Sequence, residues 1–224
     1  VTTARDEIFS NIRRSLGVTG HEAPRRVTVE ERLERAPKGL IPARGQGDLP
    51  TRLATFRRMV EASLATLVDV ASPAEIPAAV AQYLRDHNLP ATLRMGNDSR
   101  LAGLDWSATS LDIAHGPSDG RDLNGLSHAL GGVAESGTLV LVSAPDNPTT
   151  LNFLPDNHIV VIQARDVEGD YEAVWDRIRF AFGKGTMPRA VNWVTGPSRS
   201  GDIEQTLLLG AHGPRRLHVI LVGA

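Results

Sequence analysis

The 224-residue sequence contains no cysteine. That absence removes disulfides, thiolate nucleophiles, cysteine-ligated zinc and any iron–sulfur cluster held by the chain's own thiolates. It leaves open redox work done on a partner subunit. Aromatic residues are scarce at 4%, too few for the stacking platforms of single-strand binders. An excess of one charge is also lacking. The formal net charge of -2 gives no basic field pointing to nucleic acid or an acidic membrane. The longest apolar stretches, such as Thr138 to Val142 and His218 to Val222, are strand-sized, whereas a membrane span needs roughly 20 apolar residues. The opening VTTARDEIFSNIRRSLG has no signal-peptide core. The expectation is a cytoplasmic protein with no membrane span and no nucleic-acid partner. No internal repeat is evident.

What is present falls into two parts, 1–49 and 50–224. Residues 3–16 read as a short amphipathic helix. Thr3 and Asp6 have capping-box spacing, Ile8, Ile12 and Leu16 share a face, and Gly17 is a stop. Residues 18–49 lose periodicity and carry Pro24, Pro37 and Pro42, which reads as an arm without regular structure. The leading helix suits docking on another chain or on the back of the domain. From residue 51 the pattern is regular. Helices are expected at 51–64, with Leu53, Phe56, Val60 and Leu64 on one side, and at 74–86, 125–134, 170–182 and 202–209. Strands are expected at 66–70, 91–95, 109–114, 138–143, 158–163, 191–195 and 217–222. Alternating strands and helices, with continuous apolar strand runs, imply an α/β fold with a mostly parallel sheet flanked by helices. In such sheets ligands bind beyond the carboxyl ends of strands. That rule selects the turns after Ala114, Ser143 and Thr195.

Three segments could carry chemistry. In VTGPSRSGDIEQTLLLGAHGP, a strand ends at Thr195, Gly196 permits a close backbone approach, and Ser198 and Ser200 are candidate N-caps of the next helix. Free N–H groups at a helix start, two hydroxyls and Arg199 suit a phosphate or carboxylate. Asp202 and Glu204 in the same first turn argue the other way, since they already satisfy the helix dipole. A well-capped helix and an anion site both fit. His212 ends this segment, and a ten-residue helix, about 15 Å long, would not hold it beside Ser198. In GGVAESGTLVLVS, Glu135 precedes a Ser-Gly-Thr turn. It is a nucleophile, base or cation ligand, or a solvated turn carboxylate. In NFLPDNHIVVI, His158 is a site residue or a strand-start residue bonded to backbone. The seven histidines show no zinc-ligand spacing, and the P-loop, dinucleotide and nucleophile-elbow motifs are absent.

Together AESGTLVLVS, LPDNHIVVI and VTGPSRSGDIEQTLLLGAHGPRRLHVILV resemble the LUD domain family, named for lactate utilization. The opening ARDEIFSNIRRSLG resembles the start of its lactate-utilization protein C branch. The resemblance covers roughly residues 4–17 and 50–224. This chain has Ser200-Gly201 where Thr-Ala is usual, Ala211 where Val is common, and no arginine between Asp146 and Thr150. The resemblance implies a NagB/RpiA/CoA-transferase-like fold. It also implies a place as an accessory subunit in the oxidation of L-lactate to pyruvate. There the iron–sulfur clusters belong to cysteine-rich companion subunits and this chain holds no cofactor. The positions that carry over are Glu135, Gly137, Thr138, His158, Gly196, Pro197, Ser198, Arg199, Asp202, Glu204, His212 and Gly213. Glu135 and His212 stand as candidate catalytic residues. Gly137, Thr138, His158, Gly196, Ser198, Arg199, Ser200 and Asp202 stand as candidate anion or ligand contacts, with no metal ligand assigned. The alternative is a stand-alone binder of a small carboxylate or phosphate, or an acyl/CoA-transferase-like enzyme using Glu135.

Overall fold

The computed structural model describes residues 3–201 and 207–224. The chain divides into two units, Val1–Leu40 and Ile41–Ala224. The first unit contains α1 (Ala4–Leu16) and α2 (Ala23–Arg35). Thr3 caps α1 through the expected reciprocal box with Asp6, and Gly17 closes it at φ 63°. The expectation of an irregular arm after Gly17 is corrected by α2. Pro24 lies in its first turn, where a missing N–H breaks no helical bond. The residues that follow are mostly good helix formers, and Arg26 and Glu30 pair one turn apart at 3.8 Å.

The second unit begins with a 3-10 turn at Ala43–Gly45. Then come α3 (Leu49–Ala62), β1 (Thr66–Val70), α4 (Ile76–Asp86), β2 (Thr92–Met95), α5 (Ser99–Ala102) and β3 (Asp112–His115). Next are β4 (Asn124–His128), β5 (Gly131–Val133), β6 (Thr138–Val142), α6 (Thr150–Phe153), β7 (Asn157–Gln163) and β8 (Val167–Glu168). There follow α7 (Tyr171–Phe182), β9 (Val191–Val194), β10 (Arg199–Gly201), β11 (Leu207–Leu209) and β12 (Arg216–Val222).

The main sheet has six strands in the order β1-β12-β7-β4-β2-β3, and every pairing is parallel. A second sheet, β8-β5-β6-β9, is antiparallel except between β5 and β8. The chain steps from one sheet to the other within two residues. Ala129 N–H donates to Val161 in the main sheet, and Leu130 N–H donates to Val140 in the second.

Both faces of the interior strands β4, β7 and β12 are buried, which explains the unbroken apolar runs of β7 and β12. Along β7, Ile159 and Val161 face α4 and α5, with Val80, Leu84 and Leu101. Val160 and Ile162 face Phe56 and Val60 of α3 and Leu139 and Leu141 of the second sheet. The outer face of the second sheet packs Val133 and Val140 against Val174 and Ile178 of α7. Among the described residues no helix is long and apolar enough to cross a membrane.

Two further expectations are corrected. Residues 125–134 form β4 and β5, not a helix. Three glycines there would each weaken a helix by about 1 kcal/mol, and they serve close packing instead. A Cβ on Gly125 would lie 2.8 Å from Pro155, and one on Gly132 would lie 2.8 Å from Ile162 and 3.1 Å from Phe56. Leu64, expected on the buried face of the 51–64 helix, lies beyond it. Its φ is 69° and its side chain is exposed.

Phe56 fills the space between the two sheets and is fully buried. Phe56→Ala is expected to lower the unfolding free energy by about 3–5 kcal/mol, read as the urea midpoint. A loss under 1 kcal/mol would contradict this packing.

Candidate functional site

The motif residues converge through a hairpin, not through the helix expected after Ser198. Arg199, Ser200 and Gly201 pair antiparallel with Leu209, Leu208 and Leu207. Neither Ser198 nor Ser200 is therefore an N-cap, and the helix-start anion site is withdrawn. Asp202 and Glu204 lie outside the described residues. The physical reason is in the segment's ends. Ser198 N–H donates to Pro214 and Ser198 C=O accepts from Gly210 N–H, at 2.8 and 2.9 Å. A helix of eight to ten residues would hold those ends about 12–15 Å apart. Leucine's helix propensity is overridden by this tertiary closure. The hairpin also brings the T-G-P-S-R and G-x-H-G-P elements together: a Cβ on Gly213 would lie 3.3 Å from Ser198 Cβ. Arg199 and His212 are exposed.

Thr195, Gly196 and Pro197 each meet a different part of the fold. Gly196 has φ +70°, and a Cβ there would lie 2.3 Å from the Ser63 carbonyl at the end of α3. Pro197 is buried against the mouth of a separate cleft. Thr195 Oγ1 bonds Thr138 Oγ1 at 2.6 Å. Thr138 also bonds Ser136 Oγ at 2.7 Å and Tyr171 OH at 2.9 Å, and Ser136 meets Tyr171 at 3.0 Å. These four hydroxyls tie together the β5–β6 turn, the start of α7 and the end of β9. Sequence reasoning named Thr138 but missed Tyr171, because no local spacing links a helix-start tyrosine to a turn 33 residues earlier.

Glu135 lies in the same turn. Gly137 closes it at φ +68°, where a Cβ would lie 2.5 Å from Val60 N. Glu135 N–H donates to the Gly169 carbonyl at 3.2 Å. Its side chain is 4% exposed and sits 3.7 Å from Arg44 Nε, and its Oε2 is buried without a hydrogen-bond partner. The 3-10 turn covers it. A Cβ on Gly45 would lie 2.0 Å from the Gly169 carbonyl and 2.8 Å from Glu135 Cβ. Gln46 Nε2 donates to Asp170 Oδ2 at 2.8 Å, while Asp170 Oδ1 caps α7. A buried carboxylate with one long ion pair is costly. Glu135 is thus a buried carboxyl group beneath the 3-10 turn, not a solvated turn residue.

His158 is in the core. Nε2 meets Ser127 Oγ at 3.1 Å, Ser127 donates to Asn152 Oδ1 at 3.2 Å, and Nδ1 has no partner. Burial drives its pKa down to about 3, so the ring is neutral at physiological pH and brings no charge to an anion. The three turns selected by the carboxyl-end rule also separate. The first follows β3 of the main sheet, and the other two follow β6 and β9 of the second. At the true carboxyl ends of β2 and β4 lie the buried Asp98, gripped by Arg100, and His128, whose pKa is lowered by burial and then by Arg100. Sequence reasoning passed over both. Among the described residues, no group of three or more His, Cys, Asp or Glu side chains is placed to hold a metal ion.

A parallel sheet backed by a second, largely antiparallel sheet defines a two-sheet α/β protein. A crystal structure of a DUF162 family protein from Deinococcus radiodurans shares this fold. It superposes with a TM-score of 0.57 over 80% of this chain and 100% of that one, at 22% identity. Residues 123–222 match the model of the LUD domain. Lactate utilization protein C of Bacillus subtilis is 38% identical over 91 residues, 40% of this chain and 38% of that protein. The protein of the same name from Geobacillus thermodenitrificans is 37% identical over 91 residues, with the same coverage of 40% and 38%. An uncharacterized protein of Neisseria meningitidis is 34% identical over 98 residues, 44% of this chain and 41% of that one. The chain thus spans 38–41% of the length of these curated relatives.

Thr138→Val keeps the shape but removes the hydroxyl that three others share. It should cost about 1–3 kcal/mol in urea unfolding, and Tyr171→Phe should cost less. Equal stability of Thr138→Val and the parent would remove the hydroxyl cluster as a tie. The buried imidazoles set an acid limit. His158 falls from 6.5 to about 3 and His218 from 6.5 to about 4, so the unfolded chain takes up protons first. Stability should be level above pH 6.5 and then fall by up to about 1.4 kcal/mol per pH unit for each histidine, down to about pH 4. His158→Gln should flatten that profile, and an unchanged slope would contradict a buried neutral ring.

Proposed function

We propose that this protein is an accessory component of lactate utilization, working in the cytoplasm with cysteine-rich iron–sulfur subunits that oxidise L-lactate to pyruvate. The observation that carries this reading is the LUD domain match over residues 123–222, supported by the relatives called lactate utilization protein C. Oxidising L-lactate to pyruvate removes two electrons and two protons. A chain without cysteine offers no thiolate to hold an iron–sulfur cluster, so in this reading the electrons pass to clusters on the partners. The part left to this chain is assembly or substrate handling, centred on the covered carboxylate of Glu135 and the hydroxyl cluster beside it.

The acyl-transfer alternative is less well served. A glutamate nucleophile must meet a thioester carbonyl, and the Glu135 side chain is 4% exposed beneath Arg44 and Gly45. A covered carboxyl group fits an assembly role better than that of an open nucleophile.

The test is genetic and biochemical. Deleting the gene in its native host should abolish growth on L-lactate and spare growth on pyruvate. The wild-type gene should restore growth and pull down iron–sulfur proteins, while Glu135→Gln should restore it poorly. Normal growth of the deletion strain on L-lactate would end the proposal.

A further inference from the structure

A cleft of about 430 Å³ opens at the amino ends of β1 and β12, on the opposite side of the main sheet from the Asp98 and His128 cluster. Its polar lining is Thr66, Tyr83, His87, Arg215 and Arg216, and among the described residues no carboxylate lines it. Its apolar lining is Leu64, Pro197, Leu209 and Leu217. Two guanidinium groups in one cleft with no acid among its described lining residues form a positively charged recess suited to an anion. Among the described residues Arg215 has no side-chain ion pair, and its backbone N–H donates to the Asp156 carbonyl. Arg216 spends one Nη1 hydrogen bond on Asn157 Oδ1 at 3.2 Å, which leaves four of its five N–H donors. The stem of Arg215 is braced from behind: a Cβ on Gly210 would lie 2.2 Å from Arg215 Cγ.

The wall opposite is equally built. Tyr83 stacks on His218 at 4.0 Å between ring centroids and meets the tilted ring of His87 at 4.3 Å. His218 is 5% exposed and hydrogen-bonds Thr66 Oγ1 through Nδ1 at 2.7 Å, while its Nε2 is buried without a partner. It therefore fixes both the hydroxyl and the ring that line the cleft. At the rim, Leu64 holds φ 69° with its side chain exposed. A leucine in the left-handed region is strained relative to its ordinary conformation, and helices usually place glycine there. Such strain is a recurrent mark of sites where a side chain must be presented. The carboxyl end of α4 brings about half a negative charge to the cleft, which two guanidinium groups outweigh.

We propose that this cleft binds an organic oxyanion, a carboxylate or phosphate on an apolar body, with Arg215 and Arg216 on the charged end and Tyr83, Leu64 and Leu217 against the body. The cleft volume falls in the range that takes organic ligands larger than a three-carbon acid. The proposal stands apart from the lactate reading. Growth on lactate and ligand titration share no readout, so either can fail alone.

The test is a titration of the full chain followed by isotope-edited NMR, with benzoate, phenyl phosphate, inorganic phosphate and the uncharged benzyl alcohol as probes. Benzoate or phenyl phosphate should saturate at millimolar concentration or below, shifting Thr66, His87 and Leu217. The tighter of the two identifies the headgroup. Arg215→Gln should weaken that probe about tenfold or more, and Arg215→Lys should recover part of the loss. Tyr83→Leu should weaken phenyl phosphate while leaving inorganic phosphate unchanged. Arg215 is on the surface, so its variants should keep the parent's circular dichroism. If benzyl alcohol bound as tightly as the anions, or inorganic phosphate as tightly as phenyl phosphate, the organic-anion site would be overturned. Binding unaltered by Arg215→Gln, or no saturation by any probe, would overturn it as well.

Discussion

The placement of β12 between β1 and β7 governs the rest of the fold. All seven of its residues pair with β7, and its last five pair with β1, so the last strand in the chain completes the middle of the main sheet. The segment before it must return from β9, in the second sheet, to the amino end of the main one. The β10–β11 hairpin and the Gly213-Pro214 turn make that return, held by the two backbone bonds of Ser198. The same return carries Arg215 and Arg216 to the cleft edge and sets Pro197 beside them. Site and topology thus have one cause.

The T-G-P-S element is better understood as a junction than as a loop that grips a ligand. Four consecutive residues reach the hydroxyl cluster, the end of α3, the cleft and the hairpin base. Each contact crosses between elements distant in sequence. Close backbone approach at Gly137 and Gly196 seats the second sheet's turns on the carboxyl-terminal end of α3, at Met59–Val60 and at Ser63. The glycines have a steric role here, since a Cβ at either position would sit inside another residue's backbone.

Polar burial in this protein follows a pattern of incomplete satisfaction. Glu135, His128, His158 and His218 each keep one buried atom unpartnered. For the histidines the cost is limited because the neutral ring can be buried, and desolvation keeps it neutral. For Glu135 the nearest cation, Arg44 at 3.7 Å, is a long partner. The cover over Glu135 comes from Ala43–Gly45, outside the segment that matches the LUD domain. Its carboxylate therefore depends on residues that the family match does not include.

The sequence by itself determined the local elements whose signals are contained within them: the Thr3–Asp6 capping box and Gly17 stop of α1, the amphipathic faces of α3, α4 and α7, and the apolar runs of β6, β7 and β12. These were legible because capping is a bond over three or four residues and a buried strand shows its burial in composition. Glu135, Gly137, Thr138 and Gly196 were also legible as unusual positions, though not their neighbours. Tertiary structure alone decided that 125–134 is two strands and that Ser198 opens a hairpin. It also brought Tyr171 to Thr138 and Arg44 to Glu135, and it gathered Arg215, Arg216, Tyr83 and His87 around one cleft. In each case the deciding contact joins residues far apart in sequence, and local propensities of a few tenths of a kcal/mol to about 1 kcal/mol cannot outweigh the burial and hydrogen bonding that those contacts supply.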